Sequence, residues 1–342
     1  MRYALRAGLF WLLLVSFFLP ASAVIIPALD LAMLTQESSH IVVGRVITVR
    51  DVGRTNIFIQ GQSFSARSQV AEIQVARSLK GKITDNVISF QLIEPDVFMG
   101  YGNVWANQVG VFFLKRDAGN ALIVTSPYYP SVVAALEAPE SSNGDLNNVI
   151  SEVVNVITSQ RASTPDKIKA VAVLDRVKTP VATNALRKAA DSSHEDLSIY
   201  AIAALLKRND ISKLSTAENV LANTSAVADP NLLTKLAWLA FALEGVHNPQ
   251  AIPSLARLLN SNFLQARRSA AAALRSTGDN AALEHLAKAL YDSDKEVRYQ
   301  AVMGLAEITG QYPWGPAVML YDKDEQRYLE HWRNWAGQLK TR

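Results

Sequence analysis

Shifted by 31 positions, the segment that opens at Asn248 falls on the segment that opens at Asp279. Ala251 then meets Ala282, Leu255 meets Leu286, Leu259 meets Leu290, Arg267 meets Arg298, Ala270 meets Ala301 and Leu274 meets Leu305. Within each copy the apolar positions recur at steps of three and four, as one face of a helix requires, and a polar break divides two such runs. A single helical hairpin cannot cover its own apolar face. Units of this kind stack and bury a continuous core between neighbours. No other feature limits the possible folds as much.

The second helix of each copy carries a small residue with a larger apolar one a turn later. Followed backwards, that pair reads Ala301/Leu305, Ala270/Leu274, Ala237/Phe241, Ala201/Leu205 and Ala170/Leu174, which predicts five units over residues 149–310. The last two resemble HEAT repeats of the short bacterial, phycobilisome-lyase-like kind. The residues that carry the likeness are Ala266-Arg267, Ala270 with Leu274, Gly278-Asp279, Asp292-Ser293-Asp294 and Val297-Arg298. Ser261-Asn262-Phe263 departs from the acidic loop of the pattern. The resemblance implies an α-solenoid that binds partners.

Residues 1–23 read as a secretory signal peptide. Arg2 and Arg6 form the positive end, residues 9–19 the apolar run, and Ala21-Ser22-Ala23 the cleavage site. The alternative, an uncleaved anchor, needs roughly 20 apolar residues, and Pro20 closes the run early. Export places the chain in the periplasm or outside a bacterial cell, with no stable membrane anchor after cleavage. The formal charge of +3 then falls to about +1, because two arginines and no acid are lost. Lys and Arg are spread along helices, whereas a nucleic-acid binder concentrates them on one face. No cysteine is present, so disulfides and thiol chemistry are excluded.

Between residues 24 and 137 the period changes from helical to two. A short helix around residues 29–39 comes first. Strands are expected at 40–50, 56–60, 72–77, 88–92, 109–114 and 122–125, enough for a small β-barrel or β-sandwich. The stretch 109–114 is apolar throughout, as a strand covered on both sides would be. Gly44-Arg45-Val46, Leu79-Lys80-Gly81 and Phe112-Phe113-Leu114 resemble the N-terminal β-domain of exported bacterial proteins, similar to OB-like netrin and tissue-inhibitor modules. That likeness implies protease inhibition as one possible role; the cysteines that staple eukaryotic relatives are absent here. Residues 138–148 form a Pro/Ser/Asn/Gly linker. Residues 311–342 crowd aromatic side chains, with Tyr328, Trp332 and Trp335 on one helix face, as a cap over the last repeat or an aromatic ligand site.

The sequence contains no zinc-type His-Glu-x-x-His, phosphate loop, nucleophile elbow or dinucleotide fingerprint, and no cofactor is implied. His194-Glu195-Asp196 reads as a helix start before a metal cluster, and Asp292-Ser293-Asp294 as a capped turn before a calcium loop. Asn223-Thr224-Ser225 fits a glycosylation sequon. A glycine-bearing loop with Phe98, Tyr101 and Trp105 can clasp a ligand, or Trp105 can simply lid the β-domain. Positions two before and two after each repeat alanine give a stripe that turns cationic, aromatic and apolar towards its end with Lys235, Leu239, Arg268, Tyr299 and Met303, and Arg275 lies on it as well. Arg and Tyr favour binding hot spots, so this stripe is either a groove for a protein or peptide or an ordinary solvated face. Arg267 and Arg298, at matched positions, suggest pairing between repeats.

The expectation is an α+β multidomain chain, a small N-terminal β-barrel or β-sandwich followed by an all-α HEAT-type solenoid. It acts as an exported, non-catalytic scaffold or adaptor. Alternatives are an enzyme-accessory or small-ligand protein using the β-domain loop, or a netrin-like protease inhibitor.

Overall fold

The computed structural model describes residues 26–59, 61–97, 100–139, 143–222 and 229–339. The stretch read as a signal peptide, Phe98 and the sequon at Asn223 lie outside the described residues. A short helix, α1 (Leu31–Glu37), is capped by Asp30, whose carboxylate accepts from the Met33 amide at 2.9 Å. Six strands follow: β1 (His40–Ile59), β2 (Gln62–Lys80), β3 (Val87–Pro95), β4 (Val109–Arg116), β5 (Leu122–Val124) and β6 (Ser131–Val133). They pair in the order β1-β2-β3-β5-β4-β6, and β1 also pairs with β4. All contacts are antiparallel except the single bridge between Gln91 of β3 and Ile123 of β5. Val42, Val46, Ile73, Phe90, Phe112 and Leu114 fill the space the curled sheet encloses.

The β1–β2 hairpin runs well past this core. Asn56 to Ile59 belongs to β1 and is not a separate strand, because pairing continues out to Ile59 and Gln62. This outer arm is exposed on both faces, and Phe58 near its tip is 74% open to solvent.

Beyond residue 143 the described chain is helical. Five antiparallel pairs stack in order: α2 (Asp145–Thr158) with α3 (Thr164–Leu174), α4 (Pro180–Ala190) with α5 (Glu195–Leu206), α6 (Leu214–Ala222) with α7 (Pro230–Ala242), α8 (Ile252–Leu258) with α9 (Leu264–Ser276), and α10 (Leu283–Ala289) with α11 (Lys295–Thr309). The second helices α3, α5, α7, α9 and α11 pack on one another in series. Local chemistry ends and restarts each pair in a repeated way. Gly278 after α9 and Gly310 after α11 adopt the left-handed backbone (φ +62 and +71), and Asn209 takes the same role after α5 at φ +60. Asp210, Asn248 and Asp279 then cap the next 3-10 turns through their side-chain oxygens. Helices α12 (Val318–Lys323) and α13 (Glu325–Leu339) close the stack against α10 and α11.

The third unit sits two residues out of the expected phase. Leu239 and Leu243 are fully buried and stand 31 positions before Ala270 and Leu274, whereas Ala237 is half-buried and Phe241 is 53% exposed. The anchor of this unit is therefore a leucine. The small-residue rule failed because α7 offers three alanines, Ala237, Ala240 and Ala242, and none is in phase with the next repeat.

The β-region and the helical stack share one hydrophobic core. Ile41, Val43, Val111 and Phe113, on the outer face of β1 and β4, join the cluster that contains Val149 and Val153 of α2 and continues to Trp332. Strand β4 is apolar on both faces because the helices cover the second one. One ion pair locks the junction: Arg77 of β2 holds Glu152 of α2, whose side chain is 1% exposed. The same guanidinium donates to the carbonyls of Leu136 at 2.8 Å, Ala135 at 2.9 Å and Glu137 at 3.2 Å.

Candidate functional site

The stripe expected to form a groove is largely taken up by the fold. Leu239 is buried in the core, so it lines no surface. Lys235 reaches back to Asp196 of the preceding unit at 2.5 Å. Arg268 forms a fork with Asp294, Nε to Oδ1 at 2.9 Å and Nη2 to Oδ2 at 2.7 Å. Arg275 does the same with Glu307 at 2.7 and 2.5 Å and adds Gln300 at 3.1 Å. Tyr299 packs on Tyr321 with centroids 5.0 Å apart, and its hydroxyl donates to the Pro316 carbonyl at 3.3 Å. Met303 is half-buried beside Gly315. Each cation on this stripe thus meets an acid of a neighbouring repeat, and its aromatic end is covered by the chain that follows α11. Leu239 therefore belongs to the core and not to a groove, Lys235, Arg268 and Arg275 tie repeats together, and Tyr299 and Met303 pack on the segment after α11.

Arg267 pairs across to the next repeat, whereas Arg298 pairs with the capping helix α13. Arg267 holds Asp292 at 3.0 Å and the Ser261 carbonyl at 2.9 Å. One unit on, Arg298 holds Glu325 at 2.7 Å and the Asp292 carbonyl at 2.8 Å. The two dense acidic motifs have structural jobs. His194 is the N-cap residue of α5 with Glu195 and Asp196 in the first turn, and Asp294 caps α11 by accepting from the Val297 amide at 3.2 Å. Among the described residues no group of His, Asp and Glu is placed to hold a metal ion.

The hydrogen bonds from Arg268 hold the Asp294 carboxyl below its usual range, and Arg257 does the same for Glu218. A carboxyl depressed in the folded chain contributes stability in full above its unfolded value, and that contribution is lost as pH falls through the folded value. Thermal unfolding midpoints should therefore be level between about pH 5 and 8 and drop below about pH 4. Asp294→Ala, which removes both a cap and an ion pair, should cost about 1–2 kcal/mol at neutral pH and shrink the acid-side drop.

The glycine-bearing loop touches the β core, but not through Trp105. Val104, not Trp105, joins the enclosed β core. Trp105 is 52% exposed and stands at the mouth of a cleft of about 640 Å³ between the β-region and α3. Lys169 of α3 sits 5.8 Å from the Trp105 ring centroid. Gln108 fixes the loop by accepting from the Trp105 amide at 3.2 Å and donating to Ser131 Oγ at 2.8 Å. Tyr101 meets Tyr128 edge-on at 5.1 Å, and burial, then Tyr128, raises its hydroxyl pKa. Tyr129, Asp166 and Arg176 complete the polar lining. This is a concave, mixed polar and aromatic site at a domain junction, a usual place for small ligands.

Sequence reasoning missed the largest aromatic exposure on the second helices. Trp238, 47% exposed, and Phe241 occupy one face of α7, and Lys207 Nζ lies 4.1 Å from the Trp238 ring centroid. The recurrence of Asn248 and Asp279 at 31 positions would have corrected the phase and placed both rings outside.

Comparison with known proteins bears on the helical part. No curated protein matches the chain. Residues 224–306 match the family model for HEAT repeats, so the stack from α7 to α11 resembles HEAT repeats in sequence as well as in architecture.

Proposed function

We propose that this chain is an exported, non-catalytic interaction protein, a scaffold or adaptor that binds a partner protein along its helical stack. The observation that carries this reading is the HEAT-repeat match over residues 224–306, set in a stack whose exposed faces are free to serve as contact surface. Export to the periplasm or beyond rests on the charged start, apolar run and small-residue motif of residues 1–23. The 31-position spacing supports assignment to the short bacterial, phycobilisome-lyase-like class of repeat. The β-region is OB-like in this reading. Its support is the pairing circuit that passes from β1 through β2, β3, β5 and β4 back to β1. It serves as a second contact or anchoring module.

The cleft beside Trp105 favours a second reading, a small-ligand protein that presents its cargo to an enzyme. One experiment separates the two. Affinity purification of the full chain from its native host is expected to recover a partner in stoichiometric amount. Failure to recover one, together with a small-molecule melting shift that Trp105→Ala abolishes, would put the ligand reading first.

A further inference from the structure

Beside Trp238 lies a second cavity, of about 540 Å³, lined by Lys178, Thr183, Arg187, Lys207, Arg208 and His247 among others. These groups come from the turn before α4, from α4 itself, from the end of α5 and from the loop after α7. Asn209 gathers the last of these walls: its side-chain oxygen accepts from the amides of His247 and Asn248, each at 2.9 Å. Gly245 lets that loop close onto α5, since a Cβ there would lie 2.6 Å from the Lys207 Cα. The N-terminal end of α4, capped by Thr179, adds its partial positive charge to the same hollow.

The cations are not fully compensated. Arg187 pairs with Asp210 at 2.8 Å and Lys207 with Asp175 at 3.1 Å. Lys178 is exposed and has no ion pair among the described residues. Arg208 donates to the Leu174 carbonyl and has only the shared field of Asp175 and Asp210 for its charge; burial lowers its pKa. Its Nε is buried and has no hydrogen-bond partner among the described residues. Arg208 thus brings to the cavity wall a guanidinium whose charge is only partly met by acids. Trp238 adjoins the cavity through Lys207, which lines it and lies against the Trp238 ring, and Phe241 follows on the same exposed face of α7.

We infer that this cavity and the adjoining ridge form a docking site for an acidic segment of a partner protein, a carboxylate entering among Lys178, Lys207 and Arg208 while an apolar neighbour lies on Trp238 and Phe241. The inference rests on the partner-binding reading and names where that binding occurs. Charge complementarity selects the occupant, because fixed cations steer and hold a carboxylate while the aromatic rings anchor what flanks it.

The test uses the full chain and a fluorescein-labelled peptide of alternating glutamate and leucine, read by anisotropy at low ionic strength. Binding is expected, and it should weaken about tenfold in Lys178→Glu and about fivefold in Trp238→Ala. Both side chains are exposed, so the folds should survive, which circular dichroism checks. Lys178→Gln should give an intermediate loss. Absence of binding, equal binding of the peptide with glutamine for glutamate, or no change in the variants would each overturn the inference. So would an oligothymidylate that binds as tightly with the same variant sensitivity, or inorganic phosphate competing as well as the peptide. A native partner recovered equally by wild type, Lys178→Glu and Trp238→Ala would discard this surface and leave the partner-binding reading standing.

Discussion

Replacing Arg77 with alanine should lower the unfolding free energy by about 3 kcal/mol, close to the cost of breaking a buried pair. The loss exceeds that of a surface ion pair because Glu152 stays behind, 1% exposed, with its carboxylate stripped of the guanidinium. Nε of Arg77 donates to Glu152 Oε1 at 2.6 Å, and the remaining N–H groups hold the carbonyls of residues 135–137. Alanine thus orphans a buried charge and takes the donor from the carbonyls of Ala135 and Leu136, while the Glu137 carbonyl keeps Asn155 at 2.7 Å. Arg77→Lys should recover less than half, since an ammonium cannot make the planar fork. Urea unfolding measures both. A double variant, Arg77→Met with Glu152→Leu, should be less damaging than Arg77→Ala, because it removes the stranded charge along with the pair. If Arg77→Ala cost under about 1 kcal/mol, the pair would not be what locks the regions together.

Trp332→Ala should cost about 4 kcal/mol, at the upper part of the range for large aromatic truncations. Trp332 is fully buried, its Nε1 donates to the Trp314 carbonyl at 3.0 Å, and its ring meets Trp335 edge-on at 5.4 Å and His331 at 5.0 Å. It closes the last repeat, whose core would otherwise face water; solenoids need such terminal caps to stay soluble. Trp335→Ala, at a half-buried ring, should cost less than half as much. The same urea titrations check both, with light scattering to detect association. A loss for Trp332→Ala no larger than that for Trp335→Ala would mean that the aromatic segment is not a cap.

Much of this architecture was legible. Helical period and the 31-position echo locate the hairpins, since every repeat must bury the same face against the next. Polar stretches hid the rest. The outer arm of β1 and β2 shows no period-two alternation because neither of its faces is buried, and β6 is too short to show a pattern. The candidate groove failed for a related reason. Small residues mark the phase in the other units, but in α7 the anchor is Leu239, so the pattern puts an interior side chain outside and does not mark Trp238.

The sequence by itself determined the order of a strand-rich region and a helical-repeat region, the hairpin count, the caps and the aromatic close. All of these depend on neighbours within a turn or a repeat, where side-chain periodicity reports burial directly. Only the tertiary structure decided that the second face of β4 joins the core of the helical stack, that Arg77 meets Glu152 across 75 positions, and that Lys178, Lys207, Arg208 and His247 share one hollow. Those contacts join segments far apart in the chain. Their pairing depends on how rigid helices stack, a geometry that no local pattern of residues encodes.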